Sequence, residues 1–154
     1  MSLLIFVDTL NEIVLTKVSK DSLREVGRWA AHNNVDSRSN GPWPAGIYRW
    51  SHYNAHLEAG LLPASMHSKY GGTGIHVFEV SGRPGMGVHA GRTVDPTKVG
   101  GVTMGCVRTT TEGMFKINDV HREDALTHLV VVKKGTLEAV NIIKGDGQWP
   151  VATS

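Results

Sequence analysis

The stretch "LLIFVDTLNEIVLTKV" (residues 3–18) decides how the chain folds. Two runs rich in β-branched and large apolar residues, Leu3–Asp8 and Ile13–Val18, flank the polar quartet TLNE. Such runs around a short polar break predict a β-hairpin. The same stretch has no basic leading region, no long apolar centre and no small-residue cleavage site, so it reads as strand and not as a secretory leader.

Outward from the hairpin, the pattern changes over residues 20–33. Leu23, Val26, Trp29 and Ala30 recur at helical spacing, Ser19 or Asp21 is placed to cap the start, and the polar HNN ends the run, so a helix is expected there. "VDSRSNGPWPAG" (35–46) is rich in turn formers and reads as a loop before the strand "IYRW". A short helix is expected over 53–62, a loop over "MHSKYGGTG", and strands at "IHVFEV" (75–80) and "MGVHAG", the latter ending at His89. "TTTEGMFKINDVHREDALTHL" carries threonine caps followed by Val120, Ala125, Leu126 and Leu129, and predicts a helix. Two final strands flank Lys133-Lys134-Gly135. The sum is one mainly β domain over 1–154, with short helices.

Bulk composition agrees. A chain of 154 residues with 40% hydrophobic and 19% charged residues is long enough for a core of its own. The formal charge of +2 and the lack of a basic run with interleaved aromatics argue against a nucleic-acid binder. No apolar run is long enough to span a membrane as a helix. A single cysteine excludes an internal disulfide and argues against a thiolate metal site.

That cysteine lies in "VTMGCVR" (102–108). Composition leaves two readings open, a small buried hydrophobe or a nucleophile that needs a base and a positive field. For the second, successive amides around Gly105 and Cys106 offer an oxyanion hole, Arg108 offers a cation for developing charge or for a carboxylate, and His89 is the candidate base at a strand end. Of the other histidines, His76 on its strand is read as a satisfied sheet residue or a cleft residue. His52 and His56 have metal-compatible helical spacing and, with His67, sit in a segment read as a lid. Trp43, Trp50 and Tyr53 are candidates to line a groove.

Taken together, "GVHAGR", "GGVTMGCVR" and the upstream "NGPWPAGIYRW" (40–50) resemble the signature of the L,D-transpeptidase (YkuD-type) family, a resemblance that extends loosely from residue 3 to about 143. The resemblance implies a YkuD-like fold, a β-sandwich or mixed sheet with short helices. It implies that Cys106 is the nucleophile, that His89 is the base, and that the Ala90 carbonyl orients the imidazole. Gly105 and Cys106 amides then form the oxyanion hole, and Arg108 faces the substrate. His76, Trp43 and Tyr48 are further candidate substrate contacts, read from the residues themselves. The substrate class implied is the peptidoglycan stem peptide, attacked without metal or cofactor, in the cell envelope or periplasm. Met104 departs from the family pattern, where a second histidine is usual. Related peptidoglycan-targeting secretion effectors vary at this position too, and the alternatives implied are an L,D-carboxypeptidase, a D-amino-acid-exchange toxin or an inactive wall-binding domain.

Overall fold

The computed structural model describes residues 1–20, 22–56 and 69–133. Its first two strands, β1 (Ser2–Val7) and β2 (Glu12–Ser19), form the expected hairpin. They pair antiparallel from Ser2↔Lys17 to Val7↔Glu12. Residues Asp8–Leu10 make one tight turn, closed where the Asn11 amide donates to the Asp8 carbonyl at 3.2 Å and Asn11 adopts φ 51°. Asparagine tolerates that left-handed backbone better than most side chains.

Residues 22–32, where a helix is expected, form the strand β3 (Ser22–His32), paired antiparallel with β2. A β-bulge accounts for the misleading pattern. Thr16 pairs with Glu25 but its neighbour Leu15 pairs with Gly27, so Val26 is an extra residue in the ladder. An inserted residue interrupts the alternation of faces. It sets Val26 and Trp29 on one face at a three-residue spacing, and with Leu23 three residues earlier on the other face the run imitates a helix. Leu23 packs on one apolar cluster, and Val26 and Trp29 pack on another.

The remaining strands are β4 (Gly46–Asn54), β5 (Ile75–Phe78), β6 (Gly87–His89), β7 (Val107–Thr109) and β8 (Leu126–Val132). Their order around the molecule is β1-β2-β3-β7-β6-β5-β4-β8, and β8 pairs back onto β1. The mixed sheet therefore closes into an eight-stranded barrel and is not an open sandwich. Two of its ladders are parallel, β1 with β8 and β6 with β7. The three-residue β7 has no separate sequence signal. Of the helix expected over 53–62, Tyr53 and Asn54 belong to β4, while residues 57–62 lie outside the described residues. The second arm of the hairpin expected at Lys133-Lys134-Gly135 also lies outside them, as does His67. Because His52 stands in a strand, the helical His52–His56 metal spacing does not exist, and no metal-ligand cluster occurs among the described residues.

The single α-helix among the described residues, α1 (Thr111–Glu123), starts where the Thr110 hydroxyl accepts from the Gly113 amide at 2.9 Å. It directs Met114, Ile117 and Val120 into the main core beside Leu4, Phe6, Leu15 and Leu129. The helix stops at Glu123, and Leu126 and Leu129, expected on it, belong to β8. Strand β1 is buried on both faces. Leu4 and Phe6 face the main core, while Leu3, Ile5 and Val7 join Val14, Val130 and Val132 in a second cluster. That explains its unbroken apolar run, since a strand covered on both sides has no polar face to alternate with. Each such side chain contributes about 1.5–3 kcal/mol by leaving water.

His76 is part of this framework and not of a cleft. It is wholly buried, its Nδ1 accepts from Trp50 Nε1 at 3.2 Å, and its Nε2 meets Asn118 Oδ1 at 2.8 Å. An indole N–H only donates, so the neutral ring carries its proton on Nε2. Burial pushes its pKa down to about 4, against the Asn118 hydrogen bond, which raises it. The folded protein thus resists a proton that the unfolded chain accepts at an ordinary histidine pKa of about 6.5. Stability from this residue is fully present above that value and is lost as pH falls toward about 4. The melting temperature is expected to drop between pH 7 and about pH 4.5. His76→Gln should melt lower at pH 7 but with a shallower pH dependence; an unchanged slope in that variant would remove His76 from the account.

Candidate active site

Strands β6 and β7 run parallel with Val88↔Val107 and His89↔Arg108 in register. Side chains alternate across a strand. Val88 and Val107 are therefore together in the main core, and His89, Cys106 and Arg108 share the other face. They open onto one cavity of about 550 Å³. Gly87 stands across from Cys106, and its amide donates to Cys106 Sγ at 3.4 Å, while the thiol reaches the Gly85 carbonyl at 3.7 Å.

His89 is 2% exposed, and its Nδ1 lies 2.6 Å from the Ala90 carbonyl. A carbonyl only accepts, so Nδ1 bears the proton and the Nε2 lone pair is left for a substrate or thiol proton. This is the orienting contact expected of Ala90. Tyr70, which gives no signal in the sequence beyond the glycines after it, packs edge-on to the imidazole at 4.7 Å between centroids. Its loop presses close because Gly71 has φ +67° and a Cβ there would lie 2.9 Å from the Gly91 nitrogen. Among the described residues no hydrogen bond joins Cys106 to His89. Each uses its own contacts, with the thiol toward Gly85 and Gly87 and the imidazole toward Ala90. Neighbouring strands are about 4.8 Å apart and a two-residue offset along a strand adds roughly 6.6 Å, which is why the pair shares a cavity without a direct hydrogen bond.

The electrostatics set the resting protonation. Burial lowers the His89 pKa to about 4, opposed by the Ala90 hydrogen bond and aided by the positive Arg108 and Lys69. Burial raises the Cys106 pKa, opposed by the Gly87 amide and by Lys69, Arg108 and Arg83. The resting pair is consequently a neutral thiol beside a neutral imidazole, not a thiolate–imidazolium pair.

The cavity wall is cationic. Arg38, Lys69, Arg92 and Arg108 line it, against one carboxylate, Asp36, which is already paired with Arg38 at 2.9 Å. Arg108 is 3% exposed, its Nη1 donates to the Gly101 carbonyl at 2.6 Å, and its buried Nε has no hydrogen-bond partner. A buried guanidinium N–H without an acceptor is costly. The guanidinium that carries it belongs to the cavity wall, so its charge adds to the positive field there.

Cys106 is bracketed from behind by Asn33, which the sequence reading places only in a helix-ending polar cluster. Asn33 Nδ2 donates to the carbonyls of Gly105 (2.8 Å) and Cys106 (3.0 Å), and Thr103 Oγ1 donates to Cys106 O at 2.7 Å. The Gly105 amide, expected in an oxyanion hole, donates instead to Thr103 Oγ1 at 3.2 Å. Gly105 is required for another reason: its φ is +141°, and a Cβ there would lie 2.8 Å from Met86 Sδ. Met104 is 58% exposed on the cavity rim.

Besides His76, two further expected substrate contacts are elsewhere. Trp43 is wholly buried in the main core, edge-on to Tyr48 at 5.6 Å and to Phe78 at 6.4 Å. Tyr48 is held by its hydroxyl on the Pro44 carbonyl at 2.6 Å and packs on that core, outside the cavity lining. The proline-rich loop carries the tryptophan inward and the tyrosine against it. Trp50 and Tyr53 are likewise engaged, with His76 and with the Thr73 carbonyl.

Alkylation of Cys106 by iodoacetamide should accelerate with pH through and beyond about 8.5, the range of an ordinary thiol. A plateau already reached near about pH 6 would reveal a thiolate–imidazolium pair.

No family model and no curated protein matches the chain by sequence. A solved structure matches by fold: Bd1075 of Bdellovibrio bacteriovorus superposes with a TM-score of 0.60 at 15% identity, over 94% of this chain and 53% of that one. The likeness is one of fold, and this chain spans about half the length of that protein.

Proposed function

We propose that this chain is a YkuD-like cysteine acyltransferase that acts on peptidoglycan stem peptides. The observation that carries the reading is the β6–β7 register, by which Cys106, His89 and Arg108 open onto one cationic cavity with the His89 Nδ1 proton fixed on Ala90. Peptidoglycan as the polymer and the cell envelope as the compartment rest on the sequence resemblance. A cavity rich in arginine suits a peptide bearing free carboxylates.

In the proposed reaction His89 Nε2 takes the thiol proton as Cys106 Sγ attacks a peptide carbonyl. The tetrahedral oxyanion is met by the Cys106 amide. Collapse breaks the C–N bond, His89 returns the proton to the departing D-amino acid amine, and a thioester remains on Cys106. An acceptor amine then gives a cross-link or an exchange product, and water gives the shortened stem. This chemistry draws on side chains and backbone alone.

Met104 stands on the rim and leaves the Ala90–His89 contact untouched. Its replacement of the family histidine therefore bears on the acceptor, which favours a catalytic domain over an inactive wall-binding one. Incubation with tetrapeptide muropeptides is expected to give cross-linked dimers or tripeptides. Cys106→Ala should abolish both, and His89→Ala should slow them by about 10²–10⁴-fold. Intact tetrapeptides after prolonged incubation with the wild-type chain would refute the proposal.

A further inference from the structure

Asn33 lies at 6% exposure just after β3, remote in sequence from the cysteine it supports. Its side-chain amide is used three times: Nδ2 holds the Gly105 and Cys106 carbonyls, and Oδ1 accepts the Trp43 amide at 2.5 Å. Around it the 103–106 segment is strapped to the 34–36 segment. Thr103 N donates to Asn34 O at 2.9 Å, and Asp36 N donates to Thr103 O at 2.8 Å.

A trans peptide carries its carbonyl and its N–H on opposite sides, and every peptide bond described is trans. With the Gly105 carbonyl drawn back onto Asn33, the N–H of the same plane, that of Cys106, is turned to the opposite side. Cys106 lines the cavity and Asn33 does not. The Gly105 amide is already engaged by Thr103, so the Cys106 amide is the donor of this turn that remains to meet an oxyanion. A donor meets the developing charge without reorganisation only if something holds its peptide plane.

We infer that Asn33 is the positioning residue of the site: by fixing the peptide planes on both sides of Cys106 it aims the Cys106 amide at the substrate oxyanion, and through Trp43 it ties that aim to the buried core. This rests on the acyl-transfer reading above. It separates two reactions of the same thiol. Acylation builds a tetrahedral oxyanion and needs the aimed amide; alkylation by iodoacetamide displaces iodide at a saturated carbon and needs none.

The test compares, for each variant, the rate of Cys106 acylation by a carbapenem with the rate of its alkylation by iodoacetamide, both read by intact mass. Loss of an oxyanion-hole donor costs about 10²–10³-fold. Asn33→Asp keeps the size and the acceptor for Trp43 but sets an oxygen against two carbonyls. It should slow acylation by at least about tenfold while alkylation stays within about threefold. Thr103→Val, which removes the hydroxyl from both Cys106 O and Gly105 N, should show a smaller loss in the same sense. Acylation at the wild-type rate in Asn33→Asp, or both rates falling together, overturns the inference alone. If Asn33→Asp does not fold, the selective loss in Thr103→Val upholds it and its absence overturns it. A wild-type chain that alkylates at Cys106 but takes up no carbapenem overturns the acyl-transfer reading and this inference with it.

Discussion

The parallel pairing of β6 with β7 is the constraint on which the rest of the site depends. Parallel neighbours cannot be joined by a tight turn, so the chain must cross over between them. Here the crossover is the segment 90–106, which has no helix or strand among its residues and forms much of the cavity wall. The two short strands complete the closed barrel, and their shared register gives one face to the core as Val88 and Val107 and the other to the cavity as His89, Cys106 and Arg108. A one-residue slip of either strand would exchange those faces. The site is therefore as well defined as the core behind it.

Burial then shapes the reactivity. The cavity keeps His89 neutral and the Cys106 thiol protonated, while Lys69, Arg108 and Arg83 supply a field that opposes burial and favours the thiolate. Glycines are fitted to the same end in specific places. Gly105 allows the turn before Cys106 against Met86, and Gly71 lets the Tyr70 loop close on the backbone beside His89. His32 supports the far wall: its Nε2 holds the Gly100 carbonyl at 2.6 Å while its Nδ1 accepts the Asn34 amide, a pattern only one neutral tautomer satisfies.

Much of this was legible in the residues. The hairpin over 3–18 follows from two apolar runs and a polar break, and the start of α1 from its threonine cap. The Cys106, His89 and Arg108 constellation follows from short motifs whose chemistry is local. What misled was also local. The bulge at Val26 turned strand spacing into helical spacing, and Leu126 and Leu129 continued a helical rhythm into a strand. Trp43 looked like a groove residue because an aromatic in a loop carries no mark of the side on which it packs, and Tyr48 on β4 packs against it.

By itself the sequence determined which groups were available for chemistry: one thiol, a histidine after an apolar strand residue, and an arginine two positions beyond the thiol. It also determined that the domain would be mainly β, because side-chain size and alternation act over a few neighbours. Only the tertiary structure decided that the strands close into a barrel, that Asn33 stands behind Cys106, and that the Gly105 amide is spent on the Thr103 hydroxyl. Those outcomes depend on hydrogen bonds between residues far apart in the chain. Their partners are selected by register and by the demand that buried amides and carbonyls be paired, and no local pattern encodes that selection.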